Sequence, residues 1–327
     1  MTTATAPRPR PRRSKSKGSS TAIPALSVNT APLPVRPRFA DYGELTKPRI
    51  AAMALITVAV GYLMGAAPSV DWNVLTMTLI GSGLVAAGGS ALNCVWERRS
   101  DARMLRTQNR SVPAGRLSAA EAGAFGASLA FVGTGLLLVA VPNWQAAVAA
   151  FATFVLYVFV YTPLKRLTAW NTVVGAIPGA LPPVIGWCAA RGAVTVEGLA
   201  LFGILFAWQL PHFYSIAWMH RADYARGGMK MLPVVDRTNG LWTGWATVGT
   251  CVLLLVASVV PFAVSAAGWI YLVGALALGV WFLARCLTFA NVRDDKTAKG
   301  VLRGSLVYLV GVMALLVADG VLPKYFS

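Results

Sequence analysis

Residues 74–116 read VLTMTLIGSGLVAAGGSALNCVWERRSDARMLRTQNRSVPAGR. The first part, 74–95, carries no charge and is long enough to cross a hydrocarbon core of about 30 Å as a helix. The chain then leaves this run through dense charge: Glu97, Arg98, Arg99, Asp101, Arg103, Arg106 and Arg110. Asn93, Glu97 and Asp101 stand at i, i+4 and i+8, so on a helix they share one face. Two carboxylates and an amide oxygen are hard ligands suited to Mg²⁺, which usually completes its shell with water and substrate phosphates. The arginines that follow suit the outer phosphate oxygens, through charge-assisted and often bidentate hydrogen bonds. Arginines alone would be read as a solvated loop on the positive side of a membrane. Acidic groups at a membrane edge point further, toward function.

The rest of the chain enforces a membrane reading. Of 327 residues, 56% are apolar and only 13% charged, and the mean hydropathy is +0.61, outside the range of soluble domains. The formal net charge of +17 would ordinarily suggest nucleic acid, but the placement of the bases argues against it. Apolar runs of spanning length predict helices near 49–66, 74–95, 119–140, 144–162, 172–189, 198–219, 242–263, 268–289 and 301–320. With the N-terminus cytoplasmic, every lysine and arginine except Arg191 and Lys324 falls on the cytoplasmic side. Adding or removing one span would scramble that partition, so it supports nine spans, N-in and C-out. Cys94, Cys188, Cys251 and Cys286 lie in or beside apolar runs with no metal spacing, and are expected to be buried thiols. Residues 1–38 contain no acid and are rich in Pro, Arg, Ser and Thr, a composition expected to be disordered. This tail reads as a bacterial cytoplasmic tail touching anionic headgroups, which puts the protein in the plasma (inner) membrane. The alternative is a transit peptide and the mitochondrial inner membrane, which the repeated prolines of APRPRPRR oppose.

Two further stretches face the same side as the first. The loop after the sixth span, His220 to Arg237, carries Asp223, Tyr224, Arg221 and Arg226. If Asp223 faces Glu97 and Asp101 across a cavity, two helix-end acid clusters could hold Mg²⁺ and a diphosphate between them. The competing reading is a capped juxtamembrane turn. The sixth span ends WQLPHFYSIAWMHR, with Gln209, His212 and Ser215 at helical spacing, as expected for polar groups facing a bundle interior. His212 has three readings: a hydrogen bond to substrate, ligation of an iron, or satisfaction of a buried neighbour. After the fourth span come Lys165 and Arg166, which either bind phosphate or obey the positive-inside bias. Asn171 and Thr172 are candidate caps for the fifth span, and Pro178, Pro182 and Pro183 should kink or interrupt it. Gly81, Gly83, Gly88, Gly89, Gly175 and Gly179 permit close helix approach.

These stretches together resemble the UbiA superfamily of intramembrane prenyltransferases, and within it the haem-farnesylating branch, the protohaem IX farnesyltransferases or haem O synthases. Asn93-CVW-Glu97-Arg98-Arg99-Ser100-Asp101, followed by Arg106, Thr107, Asn109 and Arg110, resembles the family's first acidic motif. Tyr161 to Trp187, YTPLKRLTAWNTVVGAIPGALPPVIGW, matches a stretch specific to the haem branch nearly throughout. Trp208–Phe213 and Asp223–Val234 match two more, and Lys47-Pro48-Arg49 resembles the family's opening. Together they span about residues 41–320 of the chain, leaving the tail at 1–38 as a separate segment before a prenyltransferase domain at 39–327. One departure is Arg99, which stands where the family has a middle Asp.

The resemblance implies an all-α bundle of nine transmembrane helices with a central cavity open to the cytoplasmic side. It implies an Mg²⁺-dependent transfer of a farnesyl group from farnesyl diphosphate to a vinyl of haem B, giving haem O for terminal oxidases. Asn93, Glu97, Asp101 and Asp223 would be the metal-holding catalytic set; Arg106, Arg110, Lys165, Arg166 and Arg221 would hold the diphosphate. His212, Gln209 and Tyr161 would line the haem and prenyl site. Tyr157, Tyr161 and Phe213 are candidates to stabilise an allylic cation, by about 1–2 kcal/mol, or are plain packing. Partners implied are the lipid bilayer and either a haem A synthase or terminal-oxidase assembly proteins; nucleic acid is not among them. A quinone- or chlorophyll-type acceptor is opposed by the 161–187 stretch and by the single acid of the second loop. A transporter is opposed by the concentration of acids and arginines on one side.

Overall fold

The computed structural model describes residues 1–2 and 38–323, so the expected tail and Lys324 lie outside the described residues. The described helices belong to one compact unit, Pro37–Ser327. They are α1 (Arg38–Thr46), α2 (Pro48–Ala66), α3 (Trp72–Asp101), α4 (Ala119–Ala140), α5 (Trp144–Val155), a π turn (Leu156–Tyr161) and α6 (Thr162–Leu164). Then follow α7 (Asn171–Ala180), α8 (Pro182–Arg191), α9 (Val196–Met219), α10 (Arg221–Arg226), α11 (Leu232–Val235), α12 (Leu241–Ala263), α13 (Trp269–Val292) and α14 (Asp295–Gly320).

Nine segments among the described residues are long and apolar enough to cross a membrane, with α5 to α6 and α7 to α8 each forming one. This multi-pass membrane bundle has no strand among the described residues. Local chemistry sets the ends. Asp71 accepts from the Asn73 and Val74 amides to start α3, Ser118 accepts from the Glu121 amide to start α4, and Asp294 with Thr297 forms a capping box on α14. Two spans are longer than expected: α3 runs on to Asp101 and α14 begins at Asp295, because charged residues continue a helix without hindrance outside the apolar core. Asn171, expected as a cap, does not cap α7; its amide donates to the carbonyls of Thr168 at 2.6 Å and Lys230 at 3.0 Å. The fifth span is interrupted as expected. Pro182 and Pro183 have no N–H to continue the ladder, and the chain restarts at Pro182 as α8.

Small residues set the packing. A Cβ added at Gly88 of α3 would lie 2.5 Å from the Gly126 carbonyl of α4, so the two backbones touch. The bundle has two distinct ends. At one, the Arg116 guanidinium bridges Asp41 at 2.7 Å and Glu44 at 3.1 Å, the Leu105 amide donates to Asp223 at 3.0 Å, and the Lys230 amide donates to the Lys165 carbonyl at 2.7 Å. At the other, short connections meet, as where Asn143 donates to the Ala189 carbonyl at 2.9 Å. The three predicted loops therefore share one end, and α14 finishes at the opposite one, where Gly320 abuts Met64 and Ala266. The four cysteines are buried free thiols.

Candidate active site

The site is built on the last two turns of α3. Its 3.6-residue period stacks Asn93, Glu97 and Asp101 on one face, and all three are buried, at 1%, 9% and 1% exposure. Each is met by a base from a different element. Lys47, between α1 and α2, donates to Asn93 Oδ1 at 2.8 Å. Lys165, just after α6, pairs with Glu97 Oε1 at 2.6 Å. Arg110, in the loop after α3, pairs with Asp101 Oδ2 at 2.9 Å. The Asn93 amide also donates to Thr162 Oγ1 at 3.1 Å, and that hydroxyl donates to the Tyr157 carbonyl at 2.8 Å. The π turn thus presents Thr162 to the acidic face.

The cluster sets three bases against two carboxylates, yet its oxygens are not all satisfied. Asp101 Oδ1 is buried without a hydrogen-bond partner, as is Ser111 Oγ beside Arg110. An orphaned carboxylate oxygen is costly and marks a place where a ligand belongs. Glu44, Leu45, Lys47, Cys94, Arg110 and Ser111 line a cavity of about 220 Å³ against the cluster. Burial alone would lower the Lys165 ammonium, but the adjacent Glu97 carboxylate overrides it and holds its pKa well above the ordinary value. Arg110 is held up by Asp101 against its own desolvation in the same way. The Lys165 ammonium also lies 4.5 Å from the centre of the Tyr161 ring.

The second acid comes to the same end. Asp223 Oδ1 accepts the Leu105 amide at 3.0 Å, four residues beyond Asp101, and pairs with Arg226. Arg106 reaches over Tyr224, 5.6 Å from the ring centre, and donates to its hydroxyl at 3.4 Å. Met104, Met229 and Met231 pack beneath as an apolar floor. Gln209 is buried and donates to the Ala176 and Leu205 carbonyls at 3.3 and 3.1 Å; a Cβ at Gly179 would fall on its amide, so that glycine makes its room. His212 bonds Ser305 across to α14.

Some expected residues are not brought together. Among the described residues no group of three His, Cys, Asp or Glu side chains is placed to hold a metal ion. Each carboxylate is instead neutralised by its own base. The donor chemistry nonetheless fits a hard cation: three oxygen-bearing side chains on one helix face and one carboxylate oxygen with no partner. Arg221 turns away, to Asp295 at 2.7 Å and the Trp218 carbonyl at 2.6 Å. Arg166 is exposed, and so is Arg99, off the ligand face. Lys47, Thr162 and Ser111 were not singled out as site residues in the sequence. Lys47 and Thr162 each had one signal, their places in the opening Lys-Pro-Arg and in the stretch beginning at Tyr161; Ser111 had none, since a hydroxyl's role depends on what folds against it.

A family model described as the UbiA prenyltransferase family matches residues 54–310. Curated relatives include the protoheme IX farnesyltransferases of Solibacter usitatus, 46% identical over 288 residues (85% of this chain and 98% of the relative), and of Koribacter versatilis, 41% identical over 310 residues (90% and 99%). Among solved structures, a digeranylgeranylglyceryl phosphate synthase aligns with TM-score 0.72 at 18% identity, over 87% of this chain and 99% of that one. A UbiA homologue from Archaeoglobus fulgidus bound to GPP and Mg²⁺ aligns with TM-score 0.61 at 15% identity, over 84% and 99%. The last two show the shared fold.

Proposed function

The chain belongs to the UbiA prenyltransferase family, and from that premise we propose that it transfers the farnesyl group of farnesyl diphosphate to a vinyl of haem B, giving haem O and diphosphate. The observation that carries this choice of acceptor is the 46% identity, over 85% of the chain, to a relative named for that reaction. The reaction is Mg²⁺-dependent and takes place in a bacterial plasma membrane, with the acidic cluster at the cytoplasmic face. The partition of lysines and arginines supports that orientation.

The substrates suit the division between the buried bundle and its charged end. A farnesyl chain and a porphyrin are largely apolar and belong among the helices, whereas a diphosphate cannot enter hydrocarbon. Asn93, Glu97 and Asp101, with Asp223 across the loop, are the residues that would hold Mg²⁺. What the bound ion supplies is neutralisation of charge on the diphosphate as the C–O bond stretches. Lys165 and Arg110 hold the Glu97 and Asp101 carboxylates, and Lys47 holds the Asn93 amide oxygen. The same three bases would suit the diphosphate oxygens, which would leave the side-chain oxygens to the cation. Arg106, on its exposed loop, adds a further phosphate contact.

In the chemical step the allylic C–O bond breaks and its electron pair leaves with the diphosphate. The vinyl π electrons form the new C–C bond, and water adds to the resulting cation, losing a proton. The Tyr161 ring, beside Lys165, and Tyr157 next to it offer faces to the allylic charge. The test is direct. Protein in nanodiscs is given haem B, farnesyl diphosphate and Mg²⁺, and haems are analysed by mass spectrometry. A mass of haem plus farnesyl plus hydroxyl is expected; its absence, alongside prenylation of 4-hydroxybenzoate offered in a parallel reaction, would assign the quinone-type acceptor instead.

A further inference from the structure

His212 sits on α9 one turn after Trp208, whose ring stacks on it at 4.8 Å between centres and 26° between planes. Phe213 closes another side edge-on, 5.5 Å away. The Trp208 indole N–H donates to the Ser305 carbonyl of α14 at 2.6 Å, and His212 Nδ1 lies 2.8 Å from the Ser305 hydroxyl. Two aromatic contacts and two interhelical hydrogen bonds fix the plane of this imidazole.

The hydrogen bonds also offer it the tautomer that ligation needs. A hydroxyl has one proton to give. Ser305 Oγ lies 2.7 Å from the Leu302 carbonyl and 2.8 Å from His212 Nδ1. With the hydroxyl proton on Leu302, Ser305 accepts from His212, Nδ1 carries the imidazole proton, and the lone pair is on Nε2. Nε2 has no hydrogen-bond partner among the described residues, and it is not sealed in, unlike the indole nitrogens of Trp187 and Trp218, which are buried without partners. An imidazole held at Nδ1–H by an outer partner, with Nε2 open, is the arrangement by which histidine ligates a transition metal.

Depth matches the chemistry. His212 is seven residues before the end of α9, about 10 Å along the axis, and Asn93 is eight before Asp101, about 12 Å. An iron held at that level leaves the porphyrin rim, where the vinyls are, at the level of the acidic face. We propose that His212 Nε2 is the axial ligand of the haem iron in the substrate complex, and that Ser305 is its positioning residue. The proposal rests on the haem reading above. A single axial bond fixes the height and tilt of the ring but not its rotation about that bond, so the choice of vinyl is made by other contacts.

The test uses full-length protein in nanodiscs with ferrous haem B and no farnesyl diphosphate, read by absorption titration and by the iron–histidine stretch in resonance Raman spectra. Wild type is expected to show that stretch. His212→Ala loses it, with haem affinity down about 10-fold or more, and added imidazole restores part of the binding. Ser305→Ala still binds haem, but the stretch moves to lower frequency because Nδ1–H has lost its acceptor; a merely structural serine would leave it in place. His212→Gln, which keeps bulk and polarity, replaces the alanine variant if that one fails to insert. Wild-type protein without the stretch, or a stretch that survives loss of His212, overturns the ligation; an unmoved frequency in Ser305→Ala overturns the positioning role. Haem-adduct formation by a wild type lacking the stretch sinks this inference alone, whereas the stretch without adduct sinks the transfer reading alone.

Discussion

Replacing Asp101 by asparagine separates a catalytic carboxylate from a structural one. The side chain is 1% exposed. One oxygen meets Arg110 at 2.9 Å and the other meets nothing. Losing one partner of a fully buried pair costs about 3–5 kcal/mol. Here the figure must be discounted, because the Arg110 side chain is 30% exposed and water can take over its charge. The amide oxygen keeps one hydrogen bond to the guanidinium, and the unpartnered oxygen becomes an unpartnered but neutral NH2, which costs less to bury than a charge. The net stability change should be about 1 kcal/mol. Catalysis should suffer more. A preorganised group that stabilises developing charge is worth about 3 kcal/mol, or roughly 10²-fold in turnover. The assay pairs haem adduct formation in nanodiscs with thermal unfolding of the same preparation. A rate near wild type, or a rate loss that only tracks loss of folded protein, would refute the reasoning.

Three other outcomes follow from the same geometry. Lys165→Met leaves Glu97 buried without its ion-pair partner, with only Lys47 and the Asn93 side chain still acting on it, so stability should fall by about 3 kcal/mol, the lower end for a broken buried pair; adding Glu97→Gln should recover much of it, measured as a double-mutant cycle of melting curves. Chelation by EDTA should abolish adduct formation while leaving the melting temperature within a few degrees, since the carboxylates have bases to fall back on. Asp236 caps the start of α12, accepting from the Thr238 and Thr243 amides at 2.8 and 2.9 Å. Burial would raise its pKa, but the Thr238 and Thr243 hydrogen bonds override that and lower it. A depressed carboxylate contributes stability that is complete above its unfolded pKa of about 3.9 and is lost as pH falls through the folded value. Asp236→Asn should therefore flatten the acid limb of stability against pH and cost about 1 kcal/mol at neutrality.

The span count was legible because each crossing must hide its own backbone hydrogen bonds, which forces long apolar helices, and because the charge bias marks their ends. The interruption at Pro182 was legible for a local reason, the missing N–H. The same holds for the face carrying Asn93, Glu97 and Asp101, since helical period alone aligns them. The partners of that face were not. Lys47 and Lys165 lie far from α3 in sequence, and nothing local distinguishes Lys165, which pairs with Glu97, from Arg166, which is exposed. Arg221 shows the converse: a base in the right loop that folds back on Asp295 and Trp218.

The amino-acid sequence by itself determined a nine-span helical membrane protein with its acids and bases gathered at one end, because hydropathy, helical period and charge bias act through near neighbours along the chain. Only the tertiary structure decided which base neutralises which acid, that Asp101 keeps one oxygen without a partner, and that Ser305 meets Nδ1 of His212. Those facts depend on side chains from helices up to ninety-three residues apart in the chain meeting within hydrogen-bond distance, and such meetings are set by packing rather than by any local pattern.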